Sequence, residues 1–529
     1  MDPSMSARGP TEASAFLTIH ENLRHHAAVR PGKLALVCED RAFTFRELYD
    51  SSSRIARGLK DAGIAQGDKV GIYLRNHWAY IPIYYAVSMI GAISVPINYM
   101  LRSEQLGALL ALTECRFLFT ELSQHDEVAV LRPERWGKLL ICYVDEGPNT
   151  GAALLSDWLA GNQAGEPCHP PVSIHDPMMI LFSSGTTGLP KGITLSHLNR
   201  ILYFFEMGME FGLRYNEVNL CATPLYHNAA IFFAFNNLYF GSTTVVQRKF
   251  DPRQAFQEIE KHRVTNAFLV PTQLHQLVQS QQRDRFDVSS LRVIVSGAAP
   301  LATTTKEAIF QCFPGAELHE LYGLTETGLI TNLRPADQLL KVRCAGQAFL
   351  NMEFRVVDPQ GNPVPVGEVG EIVTRGATLF DGYYGNEEAT QRAWRKGWFH
   401  TGDLGRIDDE GFLYIVDRLK DMILSGGVNI YPKDIEDVIY TFHEIEDVAV
   451  IGIPDEKWGE AVHAIIVCRQ GTKLEPHEVI ARCQQKLASF QVPRSIEFRA
   501  QLPRNPSGKL LKRCLRDEFW SDKPTSSRG

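Results

Sequence analysis

A glycine- and hydroxyl-rich loop around a single lysine is the first segment of this sequence whose residues could do chemistry. Residues 183–192, SSGTTGLPKG, contain three glycines, two serines and two threonines directly after an apolar run. Glycine lets backbone N–H groups approach an anion, hydroxyls donate hydrogen bonds, and Lys191 adds a positive charge. This composition predicts a loop that binds phosphate, with a flexible glycine–serine loop as the alternative.

The spacing in this loop differs from that of the P-loop, G-x-x-x-x-G-K-[S/T]. Counted from Gly185, Pro190 stands at the second glycine position, and Gly192 follows Lys191 in place of serine or threonine. The loop is therefore expected to bind phosphate in another way. The candidate phosphate-binding residues are Ser183, Ser184, Gly185, Thr186, Thr187, Gly188 and Lys191.

Length, charge and cysteine content limit the classes of protein that fit this sequence. A chain of 529 residues exceeds the size of one hydrophobic core, so more than one domain is expected. The net charge of −7 disfavours nucleic acid as a partner. The ten cysteines form no C-x-x-C pair, so neither a zinc site nor a disulfide framework is predicted.

The apolar runs of the sequence are too short for a membrane span. The N-terminal residues lack the apolar core of a signal peptide, and no run reaches the roughly 18 apolar residues that a span needs. The most apolar stretch, 79–95, is interrupted by Gly91 and predicts a buried helix. No transmembrane segment and a cytoplasmic location are therefore expected.

Helix and strand patterns alternate along most of the chain, which predicts an α/β fold. Strands are expected over 68–74, 92–96, 178–182 and 291–296, and a helix is expected over 301–313. Short strands between Asp- and Gly-containing turns indicate a small β-rich subdomain at about 345–418. We therefore predict a large N-terminal domain of layered α/β subdomains, 1–418, and a small mobile α+β C-terminal domain, 419–529.

The loop is one of six short motifs that follow one another along the chain. They are TFREL at 44–48, SSGTTGLPKG at 183–192, YGLTE at 322–326, WFHTGD at 398–403, DRLKD at 417–421 and PRNPSGK at 503–509. Together they resemble the signatures of the adenylate-forming enzymes, which include acyl- and aryl-CoA synthetases, luciferases and the adenylation domains of peptide synthetases. The resemblance extends over residues from about 40 to 515.

The resemblance implies that the chain activates a carboxylic acid in two steps. The acid attacks the α-phosphate of ATP with Mg²⁺ present, which gives an acyl-adenylate and pyrophosphate, and the thiol of CoA then displaces AMP. The implied catalytic residues are Lys509, Thr325, Glu326 and His227, with Glu326 as the Mg²⁺ ligand. The implied nucleotide-binding residues are the loop residues above, Gly297, Ala298, Ala299, Tyr322, Gly323, Thr325, Asp403, Arg418 and Lys509.

The same resemblance implies where the acid and CoA bind. Lys420 matches a hinge position about which the C-terminal domain rotates between the two half-reactions. The small residues Ser425, Gly426 and Gly427 are expected to line the tunnel for the pantetheine arm. The residues expected at the acid are His227, Ala229, Phe232 and Phe233.

The apolar character of 226–233 points to an acid with an apolar tail. This stretch contains no carboxylate to pair with the ammonium of an amino acid, and an unpaired buried ammonium is costly. A medium- to long-chain fatty acid is favoured first, and an aryl or cinnamate-like acid second.

Other features leave the acceptor and the assembly open. Gln491, Gln347 and Ala348 depart from the family pattern, and Gln491 puts a contact to a CoA phosphate in doubt. Transfer to a carrier-protein phosphopantetheine is one alternative, and a non-catalytic nucleotide-binding relative is another. The oligomeric state is also open, a homodimer included.

Overall fold

The structure is a computed structural model that describes residues 17–131, 139–145, 152–165, 171–182, 191–504 and 510–520. The described α-helices are α1 (Ile19–Val29), α2 (Phe45–Asp61), α3 (Tyr80–Met89), α4 (Ser103–Thr113), α5 (His125–Ala129), α6 (Leu155–Gly161), α7 (His197–Glu210), α8 (Asn228–Tyr239), α9 (Pro252–His262), α10 (Pro271–Gln279), α11 (Thr303–Cys312), α12 (Glu387–Ala393), α13 (Pro432–Ile439), α14 (Pro476–Gln484) and α15 (Lys512–Trp520). Short 3₁₀ turns cover Leu122–Gln124, Arg283–Arg285 and Pro335–Asp337.

The strands are numbered in chain order. They are β1 (Leu34–Cys38), β2 (Arg41–Thr44), β3 (Lys69–Tyr73), β4 (Ile93–Pro96), β5 (Phe117–Thr120), β6 (Leu140–Tyr143), β7 (Ala153–Leu154), β8 (Pro177–Phe182), β9 (Gly192–Ser196), β10 (Val218–Cys221), β11 (Thr243–Val246), β12 (Asn266–Phe268), β13 (Val293–Ser296), β14 (Glu317–Leu324), β15 (Gly328–Leu333), β16 (Gln347–Ala348), β17 (Met352–Val357), β18 (Gly370–Gly376), β19 (Gly382–Tyr383), β20 (Trp394–Arg395), β21 (Trp398–Ile407), β22 (Leu413–Arg418), β23 (Ile423–Ser425), β24 (Val428–Ile430), β25 (Ile445–Asp455), β26 (Gly459–Cys468) and β27 (Ser495–Phe498).

The described residues divide into two compact units. The first unit holds the described residues up to 182, together with 191–353 and 374–397. The second holds 354–373, 398–504 and 510–520. The mixed α/β fold that the sequence predicts is confirmed. The domain boundary near residue 418 stays a prediction.

The motif at 44–48 determines where α2 begins. The Thr44 hydroxyl accepts a hydrogen bond from the backbone N–H of Glu47 at 3.3 Å, and the Glu47 carboxylate accepts one from the Thr44 N–H at 2.8 Å. This reciprocal capping box satisfies N–H groups that the first turn of a helix leaves unpaired. The residues of this motif therefore have a structural role at the helix terminus.

The most apolar stretch of the sequence forms a buried helix, as predicted. Every residue of α3 is buried, and the rings of Tyr84 and Tyr85 lie 5.3 and 5.2 Å from the ring of Phe235 in α8. Gly91 follows with a φ of 67°, a conformation that glycine adopts without strain at the end of a helix. No helix in the described part of the chain combines the length and the apolar character that crossing a bilayer requires.

Two large sheets form the framework of the first unit. One has the strand order β16-β15-β14-β13-β12-β10-β11-β1-β2, and the other has the order β19-β9-β8-β4-β3-β5-β6-β7. The strands β10 to β14 pair in parallel, so their carboxyl ends meet at one edge. Open α/β sheets bind ligands outside that edge. The predicted strands over 178–182 and 291–296 are confirmed as β8 and β13.

The second unit contains two smaller sheets. In one, β17, β18 and β21 follow one another and β22 pairs with β21; in the other, the order is β24-β23-β26-β25 and β27 pairs with β26. The second of these sheets packs with α13 and α14 around a core that includes Ile423, Ile435, Ile439, Ile466 and Val479. The β-rich texture predicted after residue 345 is thereby confirmed.

One helix, α12, lies within the stretch 345–418, for which only short strands were predicted. α12 begins after Asn386, whose side-chain oxygen accepts a hydrogen bond from the Ala389 N–H at 2.9 Å. Two glutamates in the first turn, Glu387 and Glu388, favour the positive end of the helix dipole. The helix therefore depends on its cap and its first-turn charges rather than on an apolar periodicity.

Candidate active site

Thr325 and Glu326 lie in the tight turn between β14 and β15, at the end of the first large sheet. The Thr327 hydroxyl closes the turn by accepting a hydrogen bond from the Leu324 N–H at 3.0 Å. The Phe380 N–H donates to the carbonyl of Glu326 at 2.7 Å. The turn is thus held from inside and from a neighbouring segment, and the side chains of Thr325 and Glu326 are only partly buried.

Tyr383 connects Glu326 to the lysine of the glycine-rich loop. The Tyr383 hydroxyl donates a hydrogen bond to the Glu326 carboxylate at 3.1 Å. The ammonium of Lys191 lies over the Tyr383 ring, 4.4 Å from its centre. Burial and the neighbouring Glu326 carboxylate raise the pKa of Tyr383, so its hydroxyl stays protonated and remains a donor. The three side chains form one contact chain that the sequence motifs did not predict.

The side chains in this turn fit a magnesium ion shared with substrate phosphates. Mg²⁺ prefers oxygen ligands and keeps several waters while it binds one or two carboxylates and phosphate oxygens. Glu326 offers a carboxylate that accepts a hydrogen bond from the neutral phenol of Tyr383. Glu326 would hold this ion, which would supply positive charge to the phosphates of ATP.

A strained turn follows β13 beside the start of this site. Ala298 has a φ of 70°, in the left-handed region that non-glycine residues rarely adopt. A Cβ on the preceding Gly297 would lie 3.4 Å from the carbonyl oxygen of Leu321 in β14. The structure therefore brings the predicted adenine-binding turn, 297–299, next to the strand that carries Tyr322. Strained residues of this kind cluster at ligand sites.

Gly323 is required by close packing between the two arms of the hairpin. The register shifts between Tyr322, which faces Thr331, and Gly323, which faces Leu329. A Cβ on Gly323 would lie 1.9 Å from the carbonyl oxygen of Gly328. The glycine in the YGLTE motif thus allows the backbone to approach closely and leaves the Tyr322 ring partly exposed.

The residues predicted to contact the acid lie on α8 and just before it. His227 is the N-cap residue of α8, and Ala229 lies in the first turn. Phe233 stacks between Phe211 and Phe268. Its ring centre lies 5.8 Å from that of Phe211 and 5.1 Å from that of Phe268. The structure thus places Phe233 in the aromatic core, while His227 and Ala229 are only half-buried.

Phe232 points toward α7 rather than into that stack. Its ring lies 4.9 Å from the ring of Tyr203, and the guanidinium of Arg200 lies 4.0 Å from the ring centre. No sequence motif indicated either partner. The signal was present only as an arginine directly before the apolar run ILYFF, within the helix HLNRILYFFEMGME.

Burial keeps His227 neutral. It lowers the pKa of His227 to about 4, and the ring packs on the neighbouring Tyr226 ring with centres 4.2 Å apart. A neutral imidazole adds no charge to the environment of an acid bound beside it.

In the second unit, Asp403 and Arg418 face each other across β21 and β22. The Arg418 Nε lies 3.0 Å from the Asp403 carboxylate, and Asp403 is only 4% exposed. Glu371 orders the same motif, because its carboxylate accepts a hydrogen bond from the Gly402 N–H at 3.2 Å and lies 2.7 Å from His400. Asp403 is therefore held in one orientation with its charge compensated.

The predicted hinge contacts the last described helix. Arg516 of α15 donates a hydrogen bond to the carbonyl oxygen of Lys420 at 2.6 Å and pairs with Asp421 at 3.0 Å. The hinge motif and α15 are therefore one connected element of the second unit.

Ser425 ends β23, and Gly426 and Gly427 form the turn to β24. A Cβ on Gly426 would lie 2.6 Å from the Trp458 ring, and Gly426 has a φ of 58°. Trp458 was not predicted. Arg494 and Lys457 lie near this ring, 5.1 and 4.8 Å from its centre. The small-residue turn thus packs on an aromatic platform with two cations.

Several predicted site residues lie outside the described residues, and nothing structural follows for them. They are Ser183, Ser184, Gly185, Thr186, Thr187, Gly188 and Lys509. Lys191 of the glycine-rich loop is described, and it is connected to Glu326 through Tyr383.

Comparisons with known proteins show the family to which the chain belongs. Residues 23–384 match the model of the AMP-binding enzyme family, and residues 434–509 match the model of the AMP-binding enzyme C-terminal domain. The feruloyl-CoA synthase of an Amycolatopsis species is 35% identical over 94% of this chain and 96% of that protein. The fatty acid–[acyl-carrier-protein] ligase ScoC of Streptomyces coeruleorubidus is 33% identical over 96% and 97%.

A solved structure shows the same fold over nearly the whole chain. The o-succinylbenzoate CoA synthetase MenE from Bacillus subtilis, in complex with its acyl-adenylate intermediate, has a TM-score of 0.84 at 28% identity. The match covers 94% of this chain and 98% of that one. The chain therefore belongs to the AMP-binding family of adenylate-forming enzymes and is an AMP-forming acid–thiol ligase.

Proposed function

We propose that this chain joins a carboxylic acid to the thiol of CoA, with ATP and Mg²⁺, and that the acid is a medium- to long-chain fatty acid. A carboxylate oxygen attacks the α-phosphorus of ATP, and the bond from that phosphorus to the bridging oxygen of pyrophosphate breaks. The thiol sulfur then attacks the acyl carbon, and AMP leaves. The observation that carries the proposal is the contact chain from Lys191 through Tyr383 to Glu326.

The first half-reaction depends on positioning and on compensation of phosphate charge. We assign the loop 183–188 and Lys191 to the β- and γ-phosphates, Thr325 to the α-phosphate, and Glu326 to Mg²⁺. The hydrogen bond from Tyr383 supports the last role, because it holds the carboxylate without adding a competing cation. Lys509 is assigned to the forming bridge between the acid and the α-phosphate.

The nucleoside is assigned to two sets of residues. Tyr322 with Gly297, Ala298 and Ala299 is assigned to adenine, and the strained turn at Ala298 beside β14 supports this. Asp403 is assigned to the ribose hydroxyls. The ion pair of Asp403 with Arg418 supports this assignment, because it holds the carboxylate oxygens as acceptors.

The environment of α8 supports an acid with an apolar tail. Residues 226–233 carry no carboxylate, and His227 is neutral, so nothing in this stretch would pair with an ammonium group. Phe232 and Phe233 are assigned to the tail. An aryl acid is the second candidate, because aromatic side chains surround both phenylalanines and the Amycolatopsis relative is a feruloyl-CoA synthase.

The Trp458 platform supports CoA as the acceptor. Gly426 packs on the indole, and Lys457 and Arg494 add positive charge near it. An adenine ring stacks on an aromatic face and phosphates pair with cations, so the platform suits a phosphorylated nucleotide arm. Transfer to a carrier protein is the alternative, which the ScoC relative favours. The cytoplasmic location and a homodimer stay predictions from the sequence.

One experiment tests these assignments together. Purified enzyme is incubated with ATP, Mg²⁺ and one acid at a time, and AMP release is measured with CoA, with a phosphopantetheinylated carrier protein, and without acceptor. The panel contains the straight-chain acids from hexanoate to palmitate, benzoate, cinnamate and the proteinogenic amino acids. We expect CoA-dependent AMP release with fatty or aryl acids. Faster reaction with any amino acid would contradict the acid assignment, and reaction only with carrier protein would contradict the acceptor.

A further inference from the structure

Arg200 carries a buried charge that has no carboxylate partner among the described residues. It lies in α7, between the end of β9 and the contact with α8, and its side chain is fully buried. Its Nε donates to the side-chain oxygen of Asn199 at 2.7 Å, and its Nη2 contacts the same oxygen. Its Nη1 has no hydrogen-bond partner in the described chain. Buried guanidinium groups are almost always paired, so this arrangement calls for an explanation.

The two acidic side chains that attract Arg200 electrostatically, Asp381 and Glu206, each accept a hydrogen bond from another residue. Asp381 accepts a hydrogen bond from the Ser196 hydroxyl at 3.3 Å, and Glu206 accepts one from the Asn351 amide at 3.2 Å. Neither carboxylate forms an ion pair with Arg200 within the described residues. Burial raises the pKa of Glu206 to about 7, so that Glu206 is a weak source of negative charge at neutral pH.

The location of Arg200 connects it to the proposed acid site. Its guanidinium lies 4.0 Å from the ring centre of Phe232, a residue assigned to the acid, and 5.2 Å from that of Tyr203. The Tyr203 ring in turn lies 3.1 Å from where a Cβ of Gly328 would stand, directly after the turn with Glu326. Arg200 therefore lies behind the wall of the acid site, on the side of the catalytic turn.

Burial lowers the pKa of Arg200 only to about 9, so the group is a cation at neutral pH. We propose that Arg200 determines acid specificity by binding an oxygen at the end of the acid remote from the reacting carboxylate. The Phe232 ring covers one face of the guanidinium, and the acid reaches Nη1 by turning that ring aside. A second carboxylate is the best ligand, because guanidinium and carboxylate form the strongest hydrogen bonds of this kind.

This inference rests on the proposed function and narrows its acid. Among the fatty acids, it selects chains that end in a second carboxylate. Among the aryl acids, it selects cinnamates with an anionic group at the ring position para to the propenoate chain. A plain hydrocarbon end would leave Nη1 unpaired inside the protein. Sites built to hydrogen-bond a substrate group discriminate strongly against analogues that lack it.

The test compares acids that differ only at the remote end. Cinnamate is paired with 4-carboxycinnamate, and octanoate is paired with octanedioate, and kcat/KM for acid-dependent pyrophosphate exchange is measured for each. We expect the wild-type enzyme to prefer the acid with the remote carboxylate in at least one pair, by about tenfold or more. Equal or better reaction with the plain acids in both pairs would overturn the inference.

Variants then show whether the preference resides in Arg200. Arg200→Met keeps much of the apolar stem and removes the charge, and we expect it to reduce the preference to about twofold or less. Arg200→Lys keeps the charge and should therefore retain part of the preference for the acid with the remote carboxylate. Arg253→Met, at an exposed position of α9, is the surface control. ATP binding and the melting temperature verify that each variant is folded.

The outcomes separate this inference from the function on which it rests. A preference that is unchanged in folded Arg200→Met would show that Arg200 is structural and would overturn the inference alone. Reaction with plain acids but not with their carboxylated partners would do the same and leave the ligase function intact. If no acid of either kind released AMP, the proposed function itself would be wrong.

Discussion

The Tyr383 hydroxyl lies 3.1 Å from the Glu326 carboxylate and donates a hydrogen bond to it, while the Lys191 ammonium lies over the ring of the same tyrosine, 4.4 Å from its centre. Tyr383 is therefore a positioning residue between the loop assigned to phosphate and the side chain assigned to Mg²⁺. Because its pKa is raised by burial and by Glu326, it remains a donor throughout the pH range in which the carboxylate is ionised.

Removal of this hydroxyl is expected to weaken metal binding more than it slows the reaction. In Tyr383→Phe the carboxylate loses one charge-assisted hydrogen bond, which contributes about 1.5–3 kcal/mol in other proteins. We expect the Mg²⁺ concentration for half-maximal pyrophosphate exchange to rise by about tenfold, with a smaller change in kcat at saturating Mg²⁺. Mn²⁺ binding in the presence of ATP, followed by electron paramagnetic resonance, gives a readout independent of turnover.

The neighbouring residue supplies a matched control for this prediction. Tyr384 adjoins Tyr383, but its hydroxyl contacts Glu114 at 3.5 Å instead of Glu326. Tyr384→Phe should therefore leave the Mg²⁺ requirement at the wild-type value. Equal shifts in the two variants would mean that Tyr383 has no special relation to the metal.

Replacement of the assigned metal ligand should depress adenylation strongly. Glu326→Gln keeps the shape of the side chain and most of its hydrogen-bonding capacity, but it removes the negative charge that a hard cation prefers. We expect pyrophosphate exchange to fall by about 10²-fold or more, as for loss of a well-placed charged group. Exchange within about twofold of wild type at saturating Mg²⁺ would rule out the assignment of Glu326.

The two half-reactions should respond to different residues. Lys509→Ala is expected to lose adenylation by about 10²–10³-fold and still convert synthetic acyl-adenylate and CoA to thioester. Lys420→Pro is expected to do the reverse, because proline restricts φ at the hinge without touching the adenylation residues. Pyrophosphate exchange measures the first half-reaction, and thioester yield from the adenylate measures the second. Loss of both activities in both folded variants would contradict rotation about Lys420.

Gly323 should tolerate no side chain. In Gly323→Ala the new Cβ would lie 1.9 Å from the Gly328 carbonyl oxygen, so the hairpin that carries Glu326 must open. We expect a loss of stability of about 1–3 kcal/mol, with adenylation reduced as well. Gly315→Ala is the control, since nothing lies within 4 Å of its added Cβ. Denaturant unfolding measures the stability of both variants. A midpoint equal to that of wild type for Gly323→Ala would contradict the close packing.

Stability should fall as the pH falls from about 6.5 toward about 4, partly through His227. The unfolded histidine binds its proton near pH 6.5 and the folded one near 4. Between these values the unfolded chain holds more protons at this histidine. Its contribution to the free energy of unfolding therefore rises with pH in this window and is constant above it. His227 alone contributes about 3 kcal/mol across this window.

A variant isolates that contribution from those of other buried histidines. His227→Asn keeps a residue that is favourable at the N-cap of α8 and cannot take up a proton. Unfolding by urea at pH 7 and pH 5 should give a smaller difference for the variant than for wild type. Identical pH dependence in the two proteins would mean that His227 is protonated in the folded state as easily as in the unfolded one.

Much of this molecule followed from local sequence patterns. The buried strand at 178–182, the buried helix within 79–95 and the turn after 291–296 each depend on a few consecutive residues, so their apolar spacing and glycines suffice to predict them. The order of motifs likewise identified the family, and it predicted Thr325 and Glu326 as site residues.

Only the tertiary structure decided which distant residues surround that turn. Tyr383 follows Glu326 by 57 residues in the sequence, and Phe232 follows Arg200 by about 30. No periodicity links the members of either pair. Local patterns determine the type and direction of an element, because they act within one or two turns of chain. The contacts of a side chain with another element depend on how the sheets and helices pack. That packing made Tyr383 a partner of Glu326 and left Arg200 with no carboxylate partner in the part of the chain that the structure describes.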